Sequence, residues 1–151
     1  MSDKRNAIIE ELKISYRMEI ETVMNYLANS INLDGVRAEE IKKSLEADIA
    51  AELNHARLLG RRIKTLGGAV PGSLAMKFDQ ASMQPPDDPT HVVAVIKGVI
   101  EAEDCACRQY EKLIKLCDGE DYVTQDLCIT LLGDEEEHRR EFRGFLKEYA
   151  K

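Results

Sequence analysis

Two quartets, Glu52-Leu-Asn-His55 and Glu135-Glu-Glu-His138, use two of the chain's three histidines and place the tightest limit on how it can fold. A lone glutamate precedes each: Glu19 lies 33 positions before Glu52, and Glu103 lies 32 before Glu135. All six residues fall where the apolar pattern puts the inner faces of helices. Four carboxylates inside an apolar interior are prohibitive unless positive charge sits among them. Two divalent metal ions meet that requirement.

Four stripes carry the alternating four- and three-residue steps of one helix face. Residues 4–30 present Leu12, Tyr16, Glu19, Val23, Tyr26 and Ser30, and residues 38–66 present Ile41, Leu45, Asp48, Glu52, His55 and Leu59. Residues 89–117 offer Ile96, Val99, Glu103, Cys107, Tyr110 and Ile114, and residues 121–149 offer Thr124, Cys128, Leu131, Glu135, His138 and Phe142. Each stripe is apolar at its ends and carries ligand-type residues near its middle. The expected fold is an all-α four-helix bundle in a single domain over 1–151.

The breaks between stripes differ in kind. Asn32-Leu-Asp-Gly35 and Cys117-Asp-Gly119 are short, which favours antiparallel neighbours. The stretch 67–88 contains Gly67-Gly68, Pro71-Gly72 and Pro85-Pro86 and cannot be one helix. It reads as a long crossover joining two antiparallel hairpins, with Asp88-Pro89 as cap and first turn of the third helix. In an antiparallel hairpin, residues equidistant from the turn share a height. The midpoint of Glu19 and Glu52 falls at Gly35–Val36, and that of Glu103 and Glu135 at Gly119. Each lone glutamate is therefore level with its Glu-x-x-His, and the chain is a weak twofold repeat.

A glutamate and a histidine three positions apart share a helix face and can reach one metal cluster. Four carboxylates offset two divalent ions. Oxygen-rich ligation with two imidazoles suits iron or manganese over thiolate-seeking metals, with zinc as a further substitute. Without metal, the carboxylates repel, and some keep their protons as a coupled set. His91 begins a helix and is expected at the surface. A net charge of −7 argues against nucleic acid as a partner. No apolar run approaches a membrane span, and no leader is visible, so a cytoplasmic protein is expected. The four cysteines lack zinc-finger or thioredoxin spacing and read as reduced, buried small apolar residues. Cys107 and Cys128 occupy inner positions where they could meet across the bundle near the metals.

The chain resembles the ferritin-like di-iron family, and within it the bacterioferritins. The resemblance rests on Glu19-Ile-Glu-Thr-Val-Met-Asn-Tyr26, Glu52-Leu-Asn-His55-Ala, Ile100-Glu-Ala-Glu103 and Asp121-Tyr-Val running on to Asp134-Glu-Glu-Glu-His138. It implies a ferroxidase-type oxidoreductase for iron storage and detoxification, oxidising Fe(II) with dioxygen or hydrogen peroxide at two iron positions per chain. Glu19 and His55 would serve one iron, Glu103 and His138 the other, with Glu52 and Glu135 bridging. Tyr26 would be the catalytic tyrosine, donating a hydrogen bond or an electron, or else a core tyrosine with a satisfied hydroxyl. Asp134 would hold a histidine of the opposite hairpin. Its counterpart before Glu52 is Ala51, which makes the outer support lopsided. Asp48 is either a waiting ligand or an outer acceptor. Glu21 and Glu101 are rival carboxylates that a helix points away from the inner face.

Three departures limit the resemblance. Leu53 stands where haem-binding bacterioferritins carry methionine, so haem is not expected. The chain ends soon after the fourth helix, without the bacterioferritins' short fifth helix, and the linker is longer. A cysteine pair beside such a site also resembles Dps-like ferritins. The resemblance implies a homo-oligomer, as a hollow cage; the alternative is a non-cage di-iron oxidase or peroxide reductase.

Overall fold

The computed structural model describes residues 2–151. Its long helices are α1 (Asp3–Asn32), α2 (Glu39–Thr65), α3 (Val92–Cys117) and α4 (Tyr122–Tyr149), with no strand among the described residues. α1, α2 and α4 begin and end within two residues of the ranges read from the sequence. Ser2 opens α1 by accepting the Arg5 N–H, and Asp121 opens α4 by accepting that of Thr124. The two hairpin turns pass through Gly35 (φ 97°) and Gly119 (φ 71°), a region in which a side chain would be strained.

The start of α3 differs from the expectation. Asp88 does not cap it. Its carboxylate accepts the backbone N–H and the hydroxyl of Thr90, and the Pro89 carbonyl accepts the Asp34 N–H. These contacts pin the end of the crossover to the α1–α2 connection, and the helix begins only at Val92. His91 precedes it, exposed as expected, with no side-chain cap.

α1 packs along α2, α3 along α4, and α1 against α3 joins the hairpins. The crossover runs the length of the bundle. At one end Gly68 sits against Ile9, near the start of α1; at the other Pro89 meets Asp34, just past its end. Two apolar clusters fill the ends of the bundle. One gathers Tyr26, Ile41, Leu45, Ile96, Val99 and Phe142; the other gathers Leu12, Leu59, Ile63, Leu113, Cys128 and Leu131. The ligand-type residues lie between them.

The stripe along α1 is wider than the sequence suggested. Tyr16 and Val23 are only part-buried, whereas Glu21, Thr22 and Asn29 are buried. The crossover covers that side of α1: the Glu21 carboxylate accepts the N–H groups of Asp79 and Gln80, and Asn29 donates to the Met83 carbonyl. Glu21 does point away from the bundle axis, but into the crossover rather than into water. No helix among the described residues is long and apolar enough to cross a membrane.

Candidate metal centre

All six acidic and imidazole residues singled out by the repeat converge midway along the bundle. They form two overlapping groups, Glu19–Glu52–His55–Glu135 and Glu52–Glu103–Glu135–His138, whose ligand atoms lie within 4.8 Å of one another. Glu52 and Glu135 belong to both. Glu19, Glu52, Glu103 and Glu135 are at most 3 % exposed. Glu101, by contrast, is exposed and stands outside both groups.

Each imidazole turns Nδ1 inward. His55 Nδ1 lies 2.9 Å from Glu135, 3.4 Å from Glu52 and 3.7 Å from Glu19. His138 Nδ1 lies 3.1 Å from Glu52, 3.6 Å from Glu135 and 4.0 Å from Glu103. The two rings stack with centroids 6.3 Å apart. The outward nitrogens also meet carboxylates: His55 Nε2 is 3.0 Å from Asp134 of the opposite hairpin, and His138 Nε2 is 3.7 Å from Asp48. The outer support is therefore lopsided, as Ala51 suggested, because among the described residues His138 Nε2 has no hydrogen-bonded acid to match Asp134. Asp48, one turn before Glu52, faces the second histidine from beyond hydrogen-bond distance.

The tyrosines follow the same twofold logic. Tyr26 donates to Glu103 and Tyr110 donates to Glu19, each at 2.6 Å, so each ties a glutamate of the other hairpin. Both phenols are held well above the usual range, first by burial and then by the neighbouring carboxylates, and stay protonated. The Tyr26 hydroxyl is thus satisfied. The role of Tyr110 was missed at the level of sequence. The signal was there, since Tyr26 and Tyr110 each follow their glutamate by seven positions.

Burial dominates the electrostatics. It raises Glu52 to about 8, helped by the charge of Glu19, and Glu135 to about 7, helped by Glu19 and Glu52. Burial and the charge of Glu135 hold Glu103 well above the carboxylate range. Glu19 goes the other way: burial opposes ionisation, but bonds from Glu52, His55 and Tyr110 outweigh it. Burial alone would lower both histidines, yet the facing carboxylates raise His55 strongly and His138 to about 11. The cluster is short of positive charge and recruits protons to compensate.

The donor set fits metal ions. Glu52 Oε2, Glu103 Oε2 and Glu135 Oε2 are buried with no hydrogen-bond partner among the described residues. Orphaned carboxylate oxygens are costly, and three at one centre call for a cation. Two imidazoles and four carboxylates could hold two divalent ions, with oxygen donors in the majority.

Three of the four cysteines are buried and reduced, as core packing predicts, and Cys107 and Cys128 do not share an apolar cluster. All four are free; Cys117 and Cys128 share the apolar cluster towards the Gly119 turn, and Cys107 stands outside it. The titratable groups acting on Cys107 are Arg139, Glu103, Glu135 and Glu136, whereas those on Cys128 are Cys117 and Asp121. Cys128 comes too early in α4 to stand level with Cys107. Burial pushes the Cys107 thiol up to about 11 and the Cys128 thiol to about 12. Cys105 is part-exposed, unlike the other three.

A four-helix bundle with an inward cluster of glutamates and histidines, built from two similar hairpins, defines a narrow class of proteins. The chain belongs to the ferritin-like domain family, whose profile matches residues 9–151. It is 30% identical over 142 residues to the DNA protection during starvation protein of Pyrococcus furiosus, covering 92% of this chain and 76% of that one. It is 23% identical over 137 residues to the bacterioferritin of Desulfovibrio desulfuricans, covering 90% and 72%. Among solved structures, a dodecameric thioferritin, the bacterioferritin-related protein of Bacteroides fragilis, superposes with a TM-score of 0.86 at 22% identity, covering 97% of this chain and 88% of that one.

Proposed function

We propose that this protein is a ferroxidase of iron storage and detoxification, with Fe(II) and dioxygen or hydrogen peroxide as substrates. The observation that carries the reading is the pair of overlapping donor groups sharing Glu52 and Glu135. Glu19 and His55 would hold one Fe(II) and Glu103 and His138 the other, with Glu52 and Glu135, common to both groups, serving both positions.

The iron supplies the redox chemistry: each Fe(II) gives up one electron, and hydrogen peroxide takes both with two protons to become two waters. The protein's work is binding and orientation. Tyr26 and Tyr110 fix one oxygen each of Glu103 and Glu19, leaving the other free to face a metal. Asp134 holds the His55 ring by a hydrogen bond so that Nδ1 points inward, and the Asp48 charge faces the outer nitrogen of His138. Protons that Glu52, Glu103 and Glu135 carry in the metal-free protein leave as iron enters.

A homo-oligomer, in the form of a hollow cage, is the assembly we assign; the related protein of Bacteroides fragilis is described as dodecameric. Protection by removal of iron and peroxide is consistent with the name of the Pyrococcus furiosus relative. With a net charge of −7, we assign no direct nucleic-acid contact.

Aerobic addition of excess Fe(II), followed by particle sizing and iron counting, tests the reading. Uptake of hundreds of irons per large assembly is expected. Saturation at two per chain in a small oligomer would replace storage with a non-cage di-iron oxidase or peroxide reductase. No oxidation above the protein-free rate would end the ferroxidase reading.

A further inference from the structure

We propose that Gln80, carried by the crossover, is the gate of a narrow passage between α1 and α3 that delivers the oxidant to the metal centre, and that it selects for small neutral molecules. The inference rests on the ferroxidase reading above and adds a route and a selectivity-determining residue to it.

Two cavities meet at this residue. The inner one is a crevice of about 10 Å³ that touches Glu19, Glu52, Glu103 and Glu135 and is bounded by Met18, Thr22, Gln80, Ala102 and Ala106. That is room for a single water. The outer one is a cleft of about 340 Å³, open to solvent and lined in part by Arg17, Asp79, Glu101 and Cys105. Met18, Gln80 and Ala102 border both, so they form the neck between solvent and the centre.

Gln80 is held across this neck by a built set of contacts. Its Nε2 donates to Thr22 Oγ1 at 3.0 Å, and its Oε1 accepts from Asn25 Nδ2 at 2.8 Å. Its backbone N–H donates to Glu21 at 2.7 Å. Arg17 ties the preceding segment by donating to the Lys77 carbonyl and to Asp79, each at 2.8 Å. On the opposite side the crossover presses on α3 at Gly98, where a Cβ would collide with the Ser82 carbonyl. A buried glutamate spent on two backbone N–H groups is a costly way to place an ordinary loop, and it fixes the segment over the crevice.

The neck suits a neutral molecule better than a hydrated cation. Met18, Ala102 and Ala106 offer no oxygen or nitrogen donor to a hard cation, and the side-chain polar groups of Gln80 and Thr22 are bonded to each other. Of the carboxylates lining the outer cleft, Glu21 is bonded to the Asp79 and Gln80 N–H groups and Asp79 is paired with Arg17, which leaves Glu101 alone at the rim. Dioxygen and hydrogen peroxide pass through a one-water neck when the amide swings aside; a bulkier hydroperoxide does not.

The test loads the protein anaerobically with Fe(II) and mixes it with hydrogen peroxide or tert-butyl hydroperoxide in a stopped-flow instrument. Co(II) titration, followed by its visible absorption, reports the metal centre independently of any oxidant. For the unmodified protein, tert-butyl hydroperoxide is expected to react at least ~10-fold more slowly than hydrogen peroxide, beyond their difference in free solution. Gln80→Ala removes most of that discrimination and leaves Co(II) stoichiometry intact. Ala102→Leu, which fills the neck, slows both oxidants. Gln80→Ala with normal Co(II) binding and unchanged discrimination would overturn the gate. Failure of the unmodified protein to bind Co(II) would instead overturn the metal-site reading. Should Ala102→Leu fail to fold, Gln80→Ala decides the question alone.

Discussion

The two halves of the centre carry the same motif in different surroundings. Both imidazoles have three carboxylates around Nδ1, but His55 is 3 % exposed and is backed by Asp134 at 3.0 Å. His138 is 13 % exposed and is backed by Asp48 at 3.7 Å. The acids differ as well: Glu19 is lowered while Glu103 is raised. The repeat supplies matching donors, but what stands behind them comes from positions the repeat does not share. Asp134 precedes Glu135 where Ala51 precedes Glu52, and Asp48 precedes Glu52 by four where Leu131 precedes Glu135. The His55 half is thereby the more firmly built metal position.

Removing what the halves share erases the difference between them. Glu52→Ala or Glu135→Ala takes a donor from both groups at once. Initial Fe(II) oxidation is expected to fall beyond the roughly 100-fold typical upper range for losing an outer partner. Unchanged initial rates in both variants would remove the bridging assignment. Next come the histidines. His55→Ala and His138→Ala should each reduce Co(II) binding from two ions per chain to one, and the ion left in His138→Ala should bind the tighter. Equal residual affinities would show that the two positions are equivalent after all.

The outer carboxylates give a finer reading. Asp134→Asn and Asp48→Asn should weaken metal binding within the ~10–100-fold range of outer partners, with Asp134 towards the top and Asp48 towards the bottom. The reverse order in Co(II) titrations would mean that the 3.7 Å contact counts for more than the 3.0 Å one.

The smallest effect is on metal-free stability. Glu52 and Glu135 keep their protons to about pH 8 and 7 in the fold, against 4.5 unfolded. Folding binds these protons, so the stabilisation is complete below 4.5 and is lost as pH rises through 7 to 8. His138 has the same sign: its contribution is complete below 6.5 and lost as pH climbs through about 11. Glu19 opposes this only below its ordinary value of 4.5. Metal-free protein should therefore melt at least ~3 °C lower at pH 8 than at pH 5.5. Saturating Co(II) should reverse the order, because binding requires deprotonated ligands. A metal-free melting temperature that rises over this range would contradict the buried protons.

Much of this was legible from spacing alone. Glu19, Glu52, His55, Glu103, Glu135 and His138 were placed together by helix periodicity and by the midpoints at Gly35 and Gly119, and they do converge. Apart from Tyr110, whose seven-residue spacing from Glu103 was there to be read, what escaped notice involved residues with no repeat signature. Glu21 reads as a solvated acid until the crossover lies over it, and Gln80 sits in a segment without periodicity. The start of α3 moved because tertiary contacts at Asp88 and Pro89 hold the turn open.

Helix faces and hairpin heights are local quantities, repeated every three or four residues, and the order of amino acids determined them without help. The path of the crossover, the cross-hairpin bonds of Tyr26 and Tyr110, and the unequal backing of the two histidines were decided only in three dimensions. They depend on how helices rotate and slide against each other, which is set by the packing of both apolar ends together rather than by any one segment.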